Sequence, residues 1–213
     1  MENNLKKEFA AEVICPEKEA KSIKTSDIQL WQAFKSGNNA AFLQIYESHF
    51  DQLFSYGFRI CKDEDLVKDA IHDVFFELRK NGKTIGETDS IKFYLFKCLK
   101  RKIIKELTSW YNKQEKLNEH IPFEITFSHE HFLINSQIDK EKSLKISQAL
   151  SELSPRKREA IYYLYYEGMS YEQIKELMDL SNAKSARDLV YKGLRSLRET
   201  IGFMPVFFLF GIQ

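Results

Sequence analysis

The sequence predicts an all-α protein: two small helical bundles joined by a flexible linker, the C-terminal one containing a helix-turn-helix. Three observations predict this. Apolar residues recur at steps of three and four rather than in alternation. The 213 residues include only four prolines and eight glycines, too few for a chain of many tight turns. The helical pattern also fades once, from about Asn112 to Asp139, and then resumes. At 43% hydrophobic and 30% charged residues, the composition is that of an ordinary soluble globular chain of this length.

Residues 1–26 are polar, mixed in charge and without periodicity, and are expected to be a disordered extension. Helical patterning begins near Asp27, where Ile28, Trp31 and Phe34 share a face. After a Ser-Gly-Asn turn, Phe42, Ile45, Tyr46, His49, Leu53 and Phe54 form a second apolar face. Aspartates around Asp63 open a third helix, whose inner side is Val67, Ala70, Ile71, Val74 and Leu78. Asn81–Ser90 reads as a loop, and Ile91 to about Tyr111 as a fourth helix. These elements give a first bundle over 27–111. The segment 112–142 includes IPFEITFSHEHFLIN, strand-like in composition but with no partner strand, and is expected to be linker.

A second bundle covers 143–201. Leu144, Ala149, Leu150 and Leu153 make its first stripe. Ser154-Pro155 has the chemistry of a helix start, and Ala160, Ile161 and Leu164 supply the buried face that follows. EGMSYEQIKELMDLSNAKSARDLVYKGLRSLRE then reads as a helix-turn-helix. Gly168 ends one helix, and Ser170 and Gln173 have capping-box spacing for the next. Ile174, Leu177 and Met178 point inward, and Asp179–Asn182 forms the turn. The second helix starts near Ala183 and buries Ala186, Val190, Leu194 and Leu197, leaving Lys184, Ser185, Asp188, Lys192 and Arg195 on its outer face.

The stretch LSNAKSARD is small and polar where a core helix would be apolar. In a helix-turn-helix, the first turn of the second helix enters the DNA major groove, where small residues permit close approach. Lys184 and Arg187 can donate to guanine or phosphate. Arg195 and Arg198 suit the backbone, which supplies affinity rather than sequence information.

Net charge is only +1, but the charge is segregated. Ile91–Lys105 carries six basic residues (Lys92, Lys97, Lys100, Arg101, Lys102 and Lys105) and no acid, whereas acids dominate Asp63–Asp73. Three widely spaced cysteines without C-x-x-C spacing fit a reducing compartment. The first residues lack signal-peptide order, and GFMPVFFLFGIQ, an apolar tail over 202–213, is shorter than the roughly twenty residues a membrane span needs. A cytoplasmic location is therefore expected. His129 and His131 beside Glu130 are too few for a metal site. No nucleophile constellation, phosphate loop or metal cluster is present in the sequence, so no enzymatic activity, cofactor or small-molecule substrate is expected.

Two segments together resemble the extracytoplasmic-function RNA polymerase sigma factors, the smallest members of the sigma-seventy family. LSELSPRKREAIYYLYYEGMSYEQIKELMDLS with the basic helix after it resembles sigma domain four. DLVKDAIHDVFFELRKN and SIKFYLFKCLKRKIIKEL resemble sigma domain two, with a flavour like the Bacteroidetes branch. The chain departs from the family pattern at Arg79, where tryptophan is common, and at Asp179, where glycine is usual, and its turn looks one residue longer.

The resemblance implies that the chain directs core polymerase (its β and β′ subunits) to promoter DNA. An anti-sigma factor is a further candidate partner. It also implies that Asp69, His72, Asp73, Phe76 and Glu77 dock on a coiled coil of the largest polymerase subunit, as an acidic face with an exposed aromatic can. The loop residues Asn81, Lys83, Thr84 and Thr88 would hold a flipped base of the minus-ten element. Lys97, Lys100, Arg101 and Lys105 would take the phosphates of the opened strand, with Tyr94, Leu95 and Cys98 mostly inside. Lys184, Ser185, Arg187, Asp188, Lys192, Arg195 and Arg198 would meet the minus-thirty-five duplex. The alternative is a stand-alone helix-turn-helix regulator with an N-terminal sensor or dimerisation bundle, which would not associate with core polymerase.

Overall fold

The computed structural model describes residues 27–111, 123–124 and 147–201. The expectations for the extension 1–26, the histidines of the linker, Leu144 and the apolar tail lie outside the described residues.

Every described element is helical. Helix α1 (27–35) ends at a turn, and Asn38 caps α2 (Asn39–Ile60) by accepting from the backbone N–H of Ala40 at 2.9 Å and of Ala41 at 3.3 Å. Asp63 caps α3 (Glu64–Asn81) through the N–H of Leu66 at 3.0 Å, with Glu64 and Asp65 in the first turn where the helix dipole favours acids. Helix α4 (Ile91–Tyr111) follows the loop. Trp31, Ile45, Leu53, Val67, Ile71, Leu95, Leu99 and Ile103 fill the space between these four helices. Gly57 lets α2 and α3 approach, since a Cβ there would lie 2.7 Å from Val67 Cγ1. Ile28, expected on the inner face with Trp31 and Phe34, is instead exposed, one turn outside the packed stripe.

The second group comprises α5 (147–152), α6 (Pro155–Tyr165), α7 (Tyr171–Leu177) and α8 (Ala183–Ile201). Ala149, Leu150, Ala160, Ile161, Ile174, Ala186, Val190 and Leu197 are buried together. Ser154 has the extended backbone of a cap and precedes Pro155, but its side chain makes no capping bond. Proline lacks an N–H, which removes one donor that a cap would otherwise satisfy.

The two groups share one continuous apolar cluster. Within the expected linker, Phe123 is 1% exposed and wedged among Tyr56, Tyr162 and Tyr163 at ring separations of 5.4–6.4 Å. Its neighbour Glu124 donates its N–H to Arg59 O at 3.1 Å and pairs with Lys62 at 2.6 Å. Tyr56 stacks on Phe96 at 4.4 Å and shares a 2.6 Å hydrogen bond with the Tyr163 hydroxyl across the junction.

Candidate nucleic-acid interface

The helix-turn-helix is built from local chemistry. Gly168 has φ +63°, which turns the chain out of α6. Ser170 and Gln173 form the reciprocal capping box: Gln173 N donates to Ser170 Oγ at 3.3 Å, and Ser170 N to Gln173 Oε1 at 2.9 Å. Asp179 takes φ +50°, the left-handed conformation that a short polar side chain tolerates, where glycine is common. Leu180 N then closes the turn on Lys175 O at 2.9 Å. Asn182 Oδ1 accepts from Ser185 N at 2.8 Å and from Ser185 Oγ at 3.1 Å, so it caps α8. Part of the polarity of LSNAKSARD is therefore helix-start chemistry. Ser185 is half-buried and engaged there, which places it at the cap rather than on the open face.

Lys184, Arg187, Asp188, Lys192, Arg195 and Arg198 are exposed along α8. The Arg187 guanidinium lies over the Tyr171 ring at 5.3 Å. Arg195 meets Glu199 at 2.9 Å, one turn on, in an exposed pair that contributes little stability. Sequence reasoning missed Tyr191, an exposed aromatic among these cations. Its signal was legible as an apolar residue off the Ala186–Val190–Leu197 stripe.

The basic run on α4 has a different fate from the one expected. Lys92 pairs with Glu167 at 2.6 Å, Lys97 with Glu176 at 2.7 Å and Lys100 with Glu159 at 2.6 Å, all across the junction between the two helix groups. Lys100 Nζ also donates to Leu177 O at 2.7 Å. Lys102 turns the other way, to Asp73 of α3 at 2.6 Å, and this bond raises its pKa. Lys97 and Lys100, expected on phosphate, thus hold glutamates in this structure, while Arg101 and Lys105 are exposed. Beneath the lysines, Glu159 also accepts from the Tyr163 hydroxyl at 2.7 Å. Burial, and then the charge of Glu159, pushes the Tyr56 and Tyr163 phenols well above their ordinary range.

A cleft of about 560 Å³ opens where α1, the 82–90 loop and the start of α4 meet. Ile28, Gln32, Thr88, Asp89, Phe93 and Tyr94 are among its lining residues, with Glu87 and Lys97. The loop is fixed to α1 by Trp31 Nε1 donating to Gly86 O at 3.0 Å and by a Lys35–Glu87 ion pair. Thr88 Oγ1 donates to Ser90 O at 3.0 Å and accepts from Ser90 N at 3.2 Å. Of the four predicted loop residues, only Thr88 lines the cleft; Asn81, Lys83 and Thr84 do not. Thr84 closes a turn on Asn81 O at 3.0 Å. Tyr94 and Cys98, expected mostly inside, are half-buried. Leu95 and Phe96 form the true inner face of α4. Burial pushes the Tyr94 phenol up to about 12.

On α3, Asp69, His72, Asp73, Phe76 and Glu77 are all exposed, and Phe76 is 68% exposed. Val74, Phe75 and Leu78 take the inner positions, so Phe76 points away from the core. The Arg79 guanidinium covers the Phe42 ring at 5.6 Å.

Residues 143–190 match the family model for sigma-70, region 4, which spans α5 to most of the first half of α8. The chain is 20% identical over 163 residues to the ECF RNA polymerase sigma factor SigK of Mycobacterium sp. (strain JLS), covering 76% of this chain and 83% of that one. It is 23% identical over 164 residues to the RNA polymerase sigma factor SigV of Bacillus subtilis (strain 168), covering 77% and 93%. Together these matches support an extracytoplasmic-function factor of the sigma-70 family.

The fold is shared with solved structures. It matches sigma factor RpoE, solved in complex with the anti-sigma factor NepR from Bartonella quintana, at TM-score 0.55 and 16% identity, covering 77% of this chain and 98% of that one. It matches CnrH, solved in complex with the cytosolic domain of CnrY, at TM-score 0.51 and 18% identity, covering 81% and 95%. Among the described residues, no helix is long and apolar enough to cross a membrane.

Proposed function

We propose that this sigma factor divides promoter recognition between its two helix groups, and that the polymerase performs all the chemistry. Helix α8 reads the upstream, minus-thirty-five duplex through Lys184, Arg187, Asp188 and Lys192, with Arg195 and Arg198 on backbone phosphate. Helix α3 docks on core polymerase through Asp69, His72, Asp73, Phe76 and Glu77. The cleft at Thr88, Phe93 and Tyr94 takes an extruded base of the minus-ten element. Arg101 and Lys105 meet phosphate beside it, and Lys97 and Lys100 join them once their glutamates are withdrawn. An anti-sigma factor is a candidate regulator, and the cytoplasm, where polymerase acts, is the place of work.

The observation that carries this reading is the outer face of α8: a capped helix that starts on small residues and exposes a run of cations. Such a face is suited to a groove walled by phosphate. The test is transcription from a genomic promoter library by core polymerase with and without the full-length chain. Promoter-specific transcripts that require the chain and lose their upstream preference in Arg187→Ala support the reading. Tight, sequence-specific binding by the free protein, without association to core polymerase, would instead identify a stand-alone regulator.

A further inference from the structure

Tyr191 is 53% exposed on a helix whose other outward side chains are almost all charged. Its spacing is particular. Lys184 stands seven residues before it, Arg187 four before, Arg195 four after and Arg198 seven after. Residues four and seven apart share a helix face. At a rise of about 1.5 Å per residue, the nearer cations lie about 6 Å along the axis on either side of the ring, and the outer ones about 10.5 Å. The cation stripe is therefore about 21 Å long, against a major groove about 12 Å wide. Its ends can lie over phosphate while its middle lies over base edges, and the middle is a tyrosine.

Neighbouring contacts keep that middle position for the ring. Arg187 leans onto Tyr171 at 5.3 Å, toward α7. Tyr191 and Tyr171 both lie close enough to Tyr165 to help hold its phenol at about 12, after the larger effect of burial. Of these three tyrosines of the helix-turn-helix, Tyr191 is the exposed one.

We infer that Tyr191 is a specificity-determining residue of the upstream contact, packing its ring on the C5 methyl of a thymine in the major groove. Cations alone favour guanine or phosphate, whereas the methyl of thymine is the apolar feature of the groove floor and gains from an apolar partner. The inference rests on α8 being the groove helix.

The test uses polymerase assembled with the full-length chain, on an upstream element selected with the wild-type protein. Each thymine of the element is replaced in turn by deoxyuridine, which removes only the methyl. At one position the wild type should lose about fourfold in affinity, the worth of one buried methyl group. Tyr191→Phe should keep that sensitivity. Tyr191→Ala should bind the thymine element more weakly and be indifferent to deoxyuridine there. A deoxyuridine profile unchanged by Tyr191→Ala, or without any sensitive position, overturns the inference. So does a loss confined to assembly with core polymerase, which would place the ring on protein. Arg195→Ala separates a role of the tyrosine from the role of α8 as the groove helix. If it weakens binding while Tyr191→Ala does not, only the tyrosine assignment fails. If Arg187→Ala, Arg195→Ala and Tyr191→Ala all leave promoter binding intact, α8 is not the groove helix.

Discussion

Glu159→Ala should destabilise the protein by about 3 kcal/mol, far more than an ordinary ion pair is worth. The magnitude follows from the surroundings of the carboxylate. Its Oε1 accepts from Lys100 Nζ at 2.6 Å and from the Tyr163 hydroxyl at 2.7 Å, and the Lys100 and Glu159 side chains are only 12% and 13% exposed. An exposed pair would contribute about 0–1 kcal/mol. Breaking a buried one costs about 3–5 kcal/mol, because an uncompensated charge is left behind. Here the lower end applies, since Lys100 keeps Leu177 O and Tyr163 keeps the Tyr56 hydroxyl. The assay is urea unfolding of the wild type, Lys100→Ala, Glu159→Ala and the double variant. The cycle should yield a coupling of about 1–3 kcal/mol. A second arm reads the charge directly. In Glu159→Gln, the charge of Lys100 is no longer neutralised by a carboxylate, so the free protein should bind single-stranded DNA more tightly, with a salt slope steeper by about 0.7 per added contact. Single variants that add to within about 0.5 kcal/mol, or an unchanged salt slope, would mean that Lys100 and Glu159 do not form a coupled buried pair.

Three further outcomes are expected. Replacing Asp73 and Phe76 together by alanine should lower affinity for core polymerase about tenfold or more while leaving helical content intact. An unchanged Kd would move the docking surface elsewhere. Phe123→Ala, at a position 1% exposed, should cost about 3–5 kcal/mol in thermal or urea unfolding and speed hydrogen exchange in α2 and α6 together; a loss below about 1 kcal/mol would mean that the wedge is not packed as described. Tyr56 and Tyr163 have folded-state pKa values raised above the ordinary tyrosine value of 10.0. Their contribution is thus fully present below about pH 10 and is lost as pH rises further, because the unfolded chain ionises first. Alkaline titration should show unfolding that begins above pH 10 and is delayed in Tyr56→Phe/Tyr163→Phe relative to that variant's own neutral-pH stability.

Much of the architecture was legible because its causes are local. The step of three and four that put Val74 and Leu78 inside also put Phe76 outside, and the structure agrees on all three. Ser170, Gln173, Gly168 and Asp179 announced the helix-turn-helix because caps and left-handed turns are satisfied within a few residues. The same locality explains the double reading of Ser185, since the sequence alone did not separate a side chain used in a helix start from one offered to a groove. Tyr94 and Phe96 show a second limit. Both are aromatics on one amphipathic helix, and which of them met the core and which a cleft depended on the path of the 82–90 loop over α1.

By itself, the sequence determined the helices, most of their inner faces, the capped turn before α8 and the segregation of charge, all matters of spacing between near neighbours. The tertiary structure alone decided what the charges do. Lys97 meets a glutamate 79 residues away, and Lys100 one 59 residues away. Phe123 leaves a segment with no pattern of its own to fill a space walled by Tyr56 and Tyr162. A Coulomb partner or an apolar pocket is defined by proximity in space, and periodicity along the chain carries no record of which distant surfaces will meet.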